Sequence, residues 1–157
     1  MSSAASAQPV PVVPPDLADR LRRRLASSPA LQWLQPTLEE LDLDTCVLGL
    51  KYRRELTNGS PTIHGGVLAT LADTAVAFAL STNFDGKMGF ATADLTIHFL
   101  RRAKTDVKAR ARILKKGKRV NVGEVDIVDP DGNIVARALT TFLLTTSTFD
   151  YLPGGAR

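Results

Sequence analysis

The chain has 157 residues, 44% of them hydrophobic and 23% charged, which fits one globular domain with its own core and leaves little room for a second. No apolar run reaches the roughly eighteen residues of a membrane span. The lone Cys46 excludes an intramolecular disulfide and a multi-cysteine zinc cage, so no metal and a cytoplasmic location are expected. The formal net charge of +4 suits an anionic partner of any kind. Aromatic residues are only 6%, however, and none interleave with basic residues as in base-stacking RNA-binding sheets, which sets nucleic acid aside.

Residues 1–14, rich in Ser, Ala, Pro and Val, lack the basic start and apolar core of a secretory signal and read as a flexible tail. Residues 15–35 read as helical. Leu17, Leu21 and Leu25 recur every four residues, Ser27-Ser28-Pro29 closes that helix, and an amphipathic turn around Leu31, Trp33 and Leu34 follows. The Arg22-Arg23-Arg24 run is a solvated face, because Asp16 and Asp19 do not suit a transit peptide. From Thr37 to about Leu56 the chain predicts two strands, followed by the turn Thr57-Asn58-Gly59-Ser60-Pro61. Between Gly66 and Ser81 lies an alanine-rich apolar stretch too long for a strand, with small or apolar residues on nearly every face. It predicts a helix enclosed by other structure. After Asn83-Phe84-Asp85-Gly86 four strands are expected, at about Gly89–Arg101, Asp106–Leu114, Arg119–Val128 and Ile134–Thr146. Lys116-Gly117-Lys118 and Asp129-Pro130-Asp131-Gly132-Asn133 supply turns between them. The order implies an α+β domain over residues 36–148, one antiparallel sheet wrapped around a long central helix, with residues 149–157 as a C-terminal tail. A single helix covers one face, so the sheet's edge and its other face call for a homo-oligomer.

Asp73 is the sole charged side chain between His64 and Asp85, in the middle of the enclosed helix. Burial disfavours an ionised carboxylate unless hydrogen bonds or a cation compensate. A structural role, capping a backbone group or pairing with an arginine of the sheet, is the alternative to catalysis. Before the helix runs Asn58-Gly59-Ser60-Pro61-Thr62-Ile63-His64-Gly65-Gly66. Free N–H groups at a helix start, unobstructed by side chains, bind an anion or polarise a carbonyl such as that of a thioester. Taken alone, the glycine pair would equally serve a tight turn, and His64 a structural contact.

The run His64-Gly65-Gly66-Val67-Leu68-Ala69-Thr70-Leu71-Ala72-Asp73-Thr74-Ala75, with Asn58 six residues before His64, resembles the hotdog-fold thioesterases of the PaaI-like and acyl-CoA thioesterase 13-like type. Residues 91–103 look like that family's long strand, and Lys115-Lys116-Gly117-Lys118-Arg119 looks like its hairpin; the resemblance spans about residues 36–146. It implies hydrolysis of an acyl-CoA to the free acid and CoA, with no cofactor beyond the coenzyme of the substrate. Asp73 would be general base or nucleophile, and the Gly65 N–H would polarise the carbonyl. Asn58 would position the water or the carbonyl, His64 would support the loop, and Thr92 would help hold the attacking water. Substrate contacts would come from Gly66, Phe99, Arg101, Arg102, Lys104, Lys115, Gly117, Lys118 and Arg119, the cations meeting the phosphates. Ala69, Ala72, Ala75 and Phe78 would shape an acyl pocket of undefined depth. Two other readings stand beside this one. A hydratase or dehydratase on the same fold has only His98 to suggest it, and its Asp-x-Asn-x-x-x-x-His pattern is absent. A non-catalytic acyl-CoA-binding module would not need Asp73, Asn58 and Gly65 together.

Helix geometry adds a constraint. Gly65 and Asp73 are eight residues apart, about 12 Å along one helix, whereas reacting atoms must approach to roughly 3–3.5 Å. A second chain must therefore supply one partner, which predicts a two-fold dimer with two shared sites; a tetramer is expected beyond it, though not from this geometry.

Overall fold

The computed structural model describes residues 13–84 and 89–145. The expected N-terminal tail up to residue 12, the C-terminal tail 149–157 and part of the turn after Phe84 lie outside the described residues. In chain order the elements are α1 (Leu17–Ser27), α2 (Pro29–Leu34), β1 (Thr37–Asp42), β2 (Thr45–Leu50), a 3₁₀ turn (Arg54–Leu56), α3 (Gly65–Ser81), β3 (Gly89–Phe99), β4 (Val107–Lys115), β5 (Val120–Val128) and β6 (Ile134–Thr145). The six strands form one antiparallel sheet in the order β1-β2-β4-β5-β6-β3.

The period of two along the strands decides which face meets α3. In β4, Val107, Ala109 and Ala111 are buried while Lys108, Arg110 and Arg112 are exposed. Leu68, Leu71, Ala72, Ala75, Val76 and Ala79 of α3 pack into the same core as Leu48, Val125, Ile127, Ala138 and Phe142 of the sheet. Alanines on both sides let helix and sheet approach closely while keeping the helix propensity high. The other face carries cross-strand ion pairs, Arg112 with Glu124 and Arg137 with Asp126 at 2.6 Å, together with exposed Leu114, Val120, Leu139 and Leu143. Cys46 sits in the core, and burial pushes its thiol up to about 12, which leaves it protonated and inert.

One expectation changes. The second strand ends at Leu50 rather than near Leu56, because side chains take over the backbone's partners there. The Tyr52 N–H donates to Asp106 Oδ1 at 2.8 Å, and the Arg53 guanidinium donates to Trp33 O and Leu34 O at 2.8 and 3.2 Å and to Gln35 Oε1. The chain then turns as a 3₁₀ helix. At the β1 side of the sheet, α1, through a core that includes Leu17, Leu21 and Leu25, packs against β1. The edge at β3 has no neighbouring strand among the described residues. No helix among them is long and apolar enough to cross a membrane.

Candidate active site

The middle and the N-terminus of α3 meet two points on the edge strand β3. Asp73, half-buried on the helix, lies against Thr92, whose Oγ1 is 3.0 and 3.1 Å from the two carboxylate oxygens. A register shift between Thr92 and Asp94 interrupts the ladder to β6 here, and Thr92 lies opposite the buried Phe142. Burial raises the Asp73 carboxyl above its ordinary value of 3.8, and the Thr92 hydroxyl, by donating to the charged form, opposes part of that shift. No cation pairs with Asp73 among the described residues, so the arginine partner that a structural role would supply is not found. Thr92, expected to hold a water, spends its hydroxyl proton on the carboxylate itself.

At the other end, His64 caps the helix. Its backbone is extended, its Nδ1 accepts the Gly66 N–H at 2.9 Å, and its carbonyl accepts Val67 N–H at 3.0 Å and Leu68 N–H at 3.2 Å. An Nδ1 that accepts places the neutral ring's proton on Nε2. The Gly66 N–H, counted above among the substrate contacts, is thereby engaged. The Gly65 N–H has no acceptor among the described residues. Phe99 lies directly over Gly65: a Cβ there would sit 3.0 Å from the ring's Cζ, so glycine lets the ring and the helix start approach without displacing either. The loop is tied at its base by Ile63 N–H to Ala103 O and His64 N–H to Leu56 O, both 2.8 Å. Asn58 turns its Oδ1 inward to Ser60, accepting the hydroxyl at 2.8 Å and the N–H at 3.3 Å, which leaves its amide NH₂ to donate.

The helix runs unbroken from Gly65 to Ser81, so Gly65 and Asp73 do not meet within one chain. The two segments expected to contact the coenzyme do not meet either. Phe99–Lys104 precedes β4 and Lys115–Arg119 ends it, and the nine residues of that strand hold them about 30 Å apart. Arg101 donates to Ile134 O at 2.8 Å. Arg102, Lys104, Lys115, Lys118 and Arg119 are exposed, with no ion-pair partner among the described residues. Of the residues expected around the acyl group, Ala72, Ala75 and Phe78 are in the core and Ala69 is half-buried one turn before Asp73. No group of three or more potential metal ligands occurs among the described residues.

Sequence reasoning passed over Lys116, Asp44 and Asn121. Lys116 donates to Asp44 Oδ2 at 2.9 Å and Asn83 Oδ1 at 3.0 Å, and the wholly buried Asn121 accepts the Gly117 N–H at 3.1 Å. The signal for Asn121 was present: it shares the parity of Val125 and Ile127 in β5, an amide where a strand should face its core.

The sequence pattern of the thioesterase superfamily matches residues 60–136. The acyl-coenzyme A thioesterase PaaI of Escherichia coli is 35% identical over 98 residues, 61% of this chain and 68% of that protein. Human acyl-coenzyme A thioesterase 13 is 33% identical over 95 residues, 59% of this chain and 67% of that one. The solved structure of E. coli PaaI superposes with a TM-score of 0.76 at 23% identity, covering 85% of this chain and 96% of the other. With its α+β hotdog fold and these relatives, the chain belongs to the thioesterase superfamily and is a thioester hydrolase.

Proposed function

We propose that the protein hydrolyses acyl-CoA thioesters in sites shared between two chains. The observation that carries this reading is the pairing of a half-buried, proton-hungry carboxylate at Asp73 with an uncommitted donor at Gly65, both on α3 and both against β3. Its relatives include two acyl-coenzyme A thioesterases, which supports the same substrate class. The Gly65 N–H donates to the thioester carbonyl oxygen and stabilises the negative charge that gathers there as the carbonyl carbon is attacked. Asp73 takes the proton of the attacking water, or attacks the carbon itself to give an anhydride that water then opens. In both routes the C–S bond breaks, the coenzyme leaves as its thiol after gaining a proton, and the carboxylate must be ionised at the start. The Asn58 amide donates toward the water or the carbonyl.

An antiparallel meeting of two β3 edges brings the halves together. A two-fold axis near Leu95 and Thr96 sets Thr92, and with it Asp73, opposite the partner's Phe99 and Gly65. The same axis brings Phe99–Lys104 of one subunit toward the Lys115–Arg119 end of the other, which closes the gap left along β4. The test is release of free thiol from a graded acyl-CoA panel by wild type and Asp73→Asn. At least one acyl-CoA is turned over, and the variant loses about 10²–10⁴ in rate while staying folded. Wild-type rates in a folded Asp73→Asn protein would remove Asp73 from the mechanism. Hydration of an enoyl-CoA without thioester cleavage would move the activity to a hydratase.

A further inference from the structure

The hairpin between β4 and β5 places four cations, Lys115, Lys116, Lys118 and Arg119, within five residues. Like charges so close drive the segment apart unless it is held. It is held from several sides. A side chain at Gly117 would place its Cβ 2.6 Å from Val120 O, so the turn is closed against its own backbone. From the core side, Asn121 Oδ1 accepts the Gly117 N–H. From the other side, Lys116 is fixed by Asp44 and Asn83. The strand neighbour contributes Leu144 N–H to Arg119 O at 2.9 Å.

Two of these anchors carry costs that packing alone does not explain. Asn121 is wholly buried, and its Nδ2 has no acceptor among the described residues, a cost that an apolar side chain facing the core would not carry. Asp44 holds a left-handed backbone, φ 64°, unusual outside glycine. Every polar group it has is occupied: its N–H by Thr82 Oγ1 at 3.0 Å, its carbonyl by Ile113 N–H at 2.8 Å, and its carboxylate by Asn83 Nδ2 at 2.7 Å and Lys116 Nζ at 2.9 Å.

We infer that Asn121 and Asp44 are positioning residues for coenzyme binding: they hold the hairpin so that Lys115, Lys118 and Arg119 stand ready for the phosphates of the substrate's nucleotide. The inference rests on the acyl-CoA reading above. Holding the cations in advance removes the ordering cost that a loose loop incurs on meeting a polyanion. Neither residue touches the reacting carbonyl, so binding of the nucleotide responds and the chemical step does not.

Steady-state kinetics of the full chain with an acyl-CoA and with the same acyl group on a truncated thioester lacking the nucleotide test this directly. Asn121→Leu and Asp44→Asn each raise KM for the acyl-CoA by about three- to tenfold, the scale of ordering one or two side chains. Both leave kcat and the truncated substrate's kinetics at wild-type values. Asp44→Asn keeps a residue that tolerates the left-handed backbone, so it serves if the core variant does not fold. The double variant Lys118→Ala with Arg119→Ala separates two failures. If it raises KM while Asn121→Leu and Asp44→Asn do not, positioning is refuted; if it too leaves KM unchanged, the hairpin does not meet the coenzyme and the underlying reading fails at that point. Equal rises for both substrates would also overturn the inference.

Discussion

The Asp73 carboxyl is pulled two ways, upward by burial and downward by the Thr92 hydroxyl. In both catalytic routes the ionised form is the working one, so the rate rises with pH through the folded-state value and the acid limb lies above the ordinary carboxylate value of 3.8. Removing the hydroxyl takes away a bond to the charged form and leaves desolvation unopposed. Thr92→Val therefore moves the acid limb of kcat/KM to higher pH, while Thr92→Ser leaves it near the wild-type position. A pH–rate profile of the three proteins decides, and an unmoved limb in the valine variant would show that Thr92 does not support the carboxylate. Asp73 was visible in the sequence because a lone charge in an apolar helix is anomalous. Thr92 was named there by the resemblance, as a support for the water; its bond to Asp73 was not legible, because nothing local links it to a residue nineteen positions earlier.

The working end of α3 depends on its cap. His64 is not a preferred capping residue, yet its Nδ1 occupies the place a serine or aspartate oxygen usually takes. It engages Gly66 and leaves Gly65 as the donor facing Phe99. His64→Ala should cost about 0.5–2 kcal/mol of stability and lower kcat, because the first turn is no longer fixed; His64→Asn, which retains an acceptor, recovers most of both. Urea denaturation alongside turnover measures the pair, and an alanine variant of unchanged stability would exclude the cap. The helix, its loop and the strands that follow were legible from apolar periodicity and turn residues. The Gly65 N–H was named there by the resemblance; that the Gly66 N–H is engaged by His64 was not legible, since that depends on the rotamer of His64.

At the scale of the assembly, the proposed shared site rests on the β3 edge, which has no neighbouring strand among the described residues, and on the unbroken α3, which keeps Gly65 apart from Asp73. Complementation tests it. Asp73→Ala and Asn58→Ala proteins, each inactive, are mixed, dissociated and reassociated. In a mixed dimer one site carries both substitutions and the other carries neither. Random pairing makes about half the dimers mixed, each with one intact site of two, so activity returns to about a quarter of wild type. Verified exchange of subunits with no return of activity would place Asp73 and Asn58 in the same chain's site.

The sequence by itself determined the α+β class, the central helix, the strand order in the chain and the candidate carboxylate with its carbonyl-binding turn. Each of these is written in local patterns: period two in the strands, alanine in α3, glycine and asparagine at the turns. Tertiary structure decided what depends on contacts between distant segments. It placed β3 beside β6 at an open edge, laid α1 on β1, set Thr92 on Asp73 and Phe99 on Gly65, and held the two basic segments at opposite ends of β4. Those partners are chosen by packing and register, and no short stretch of residues encodes them on its own.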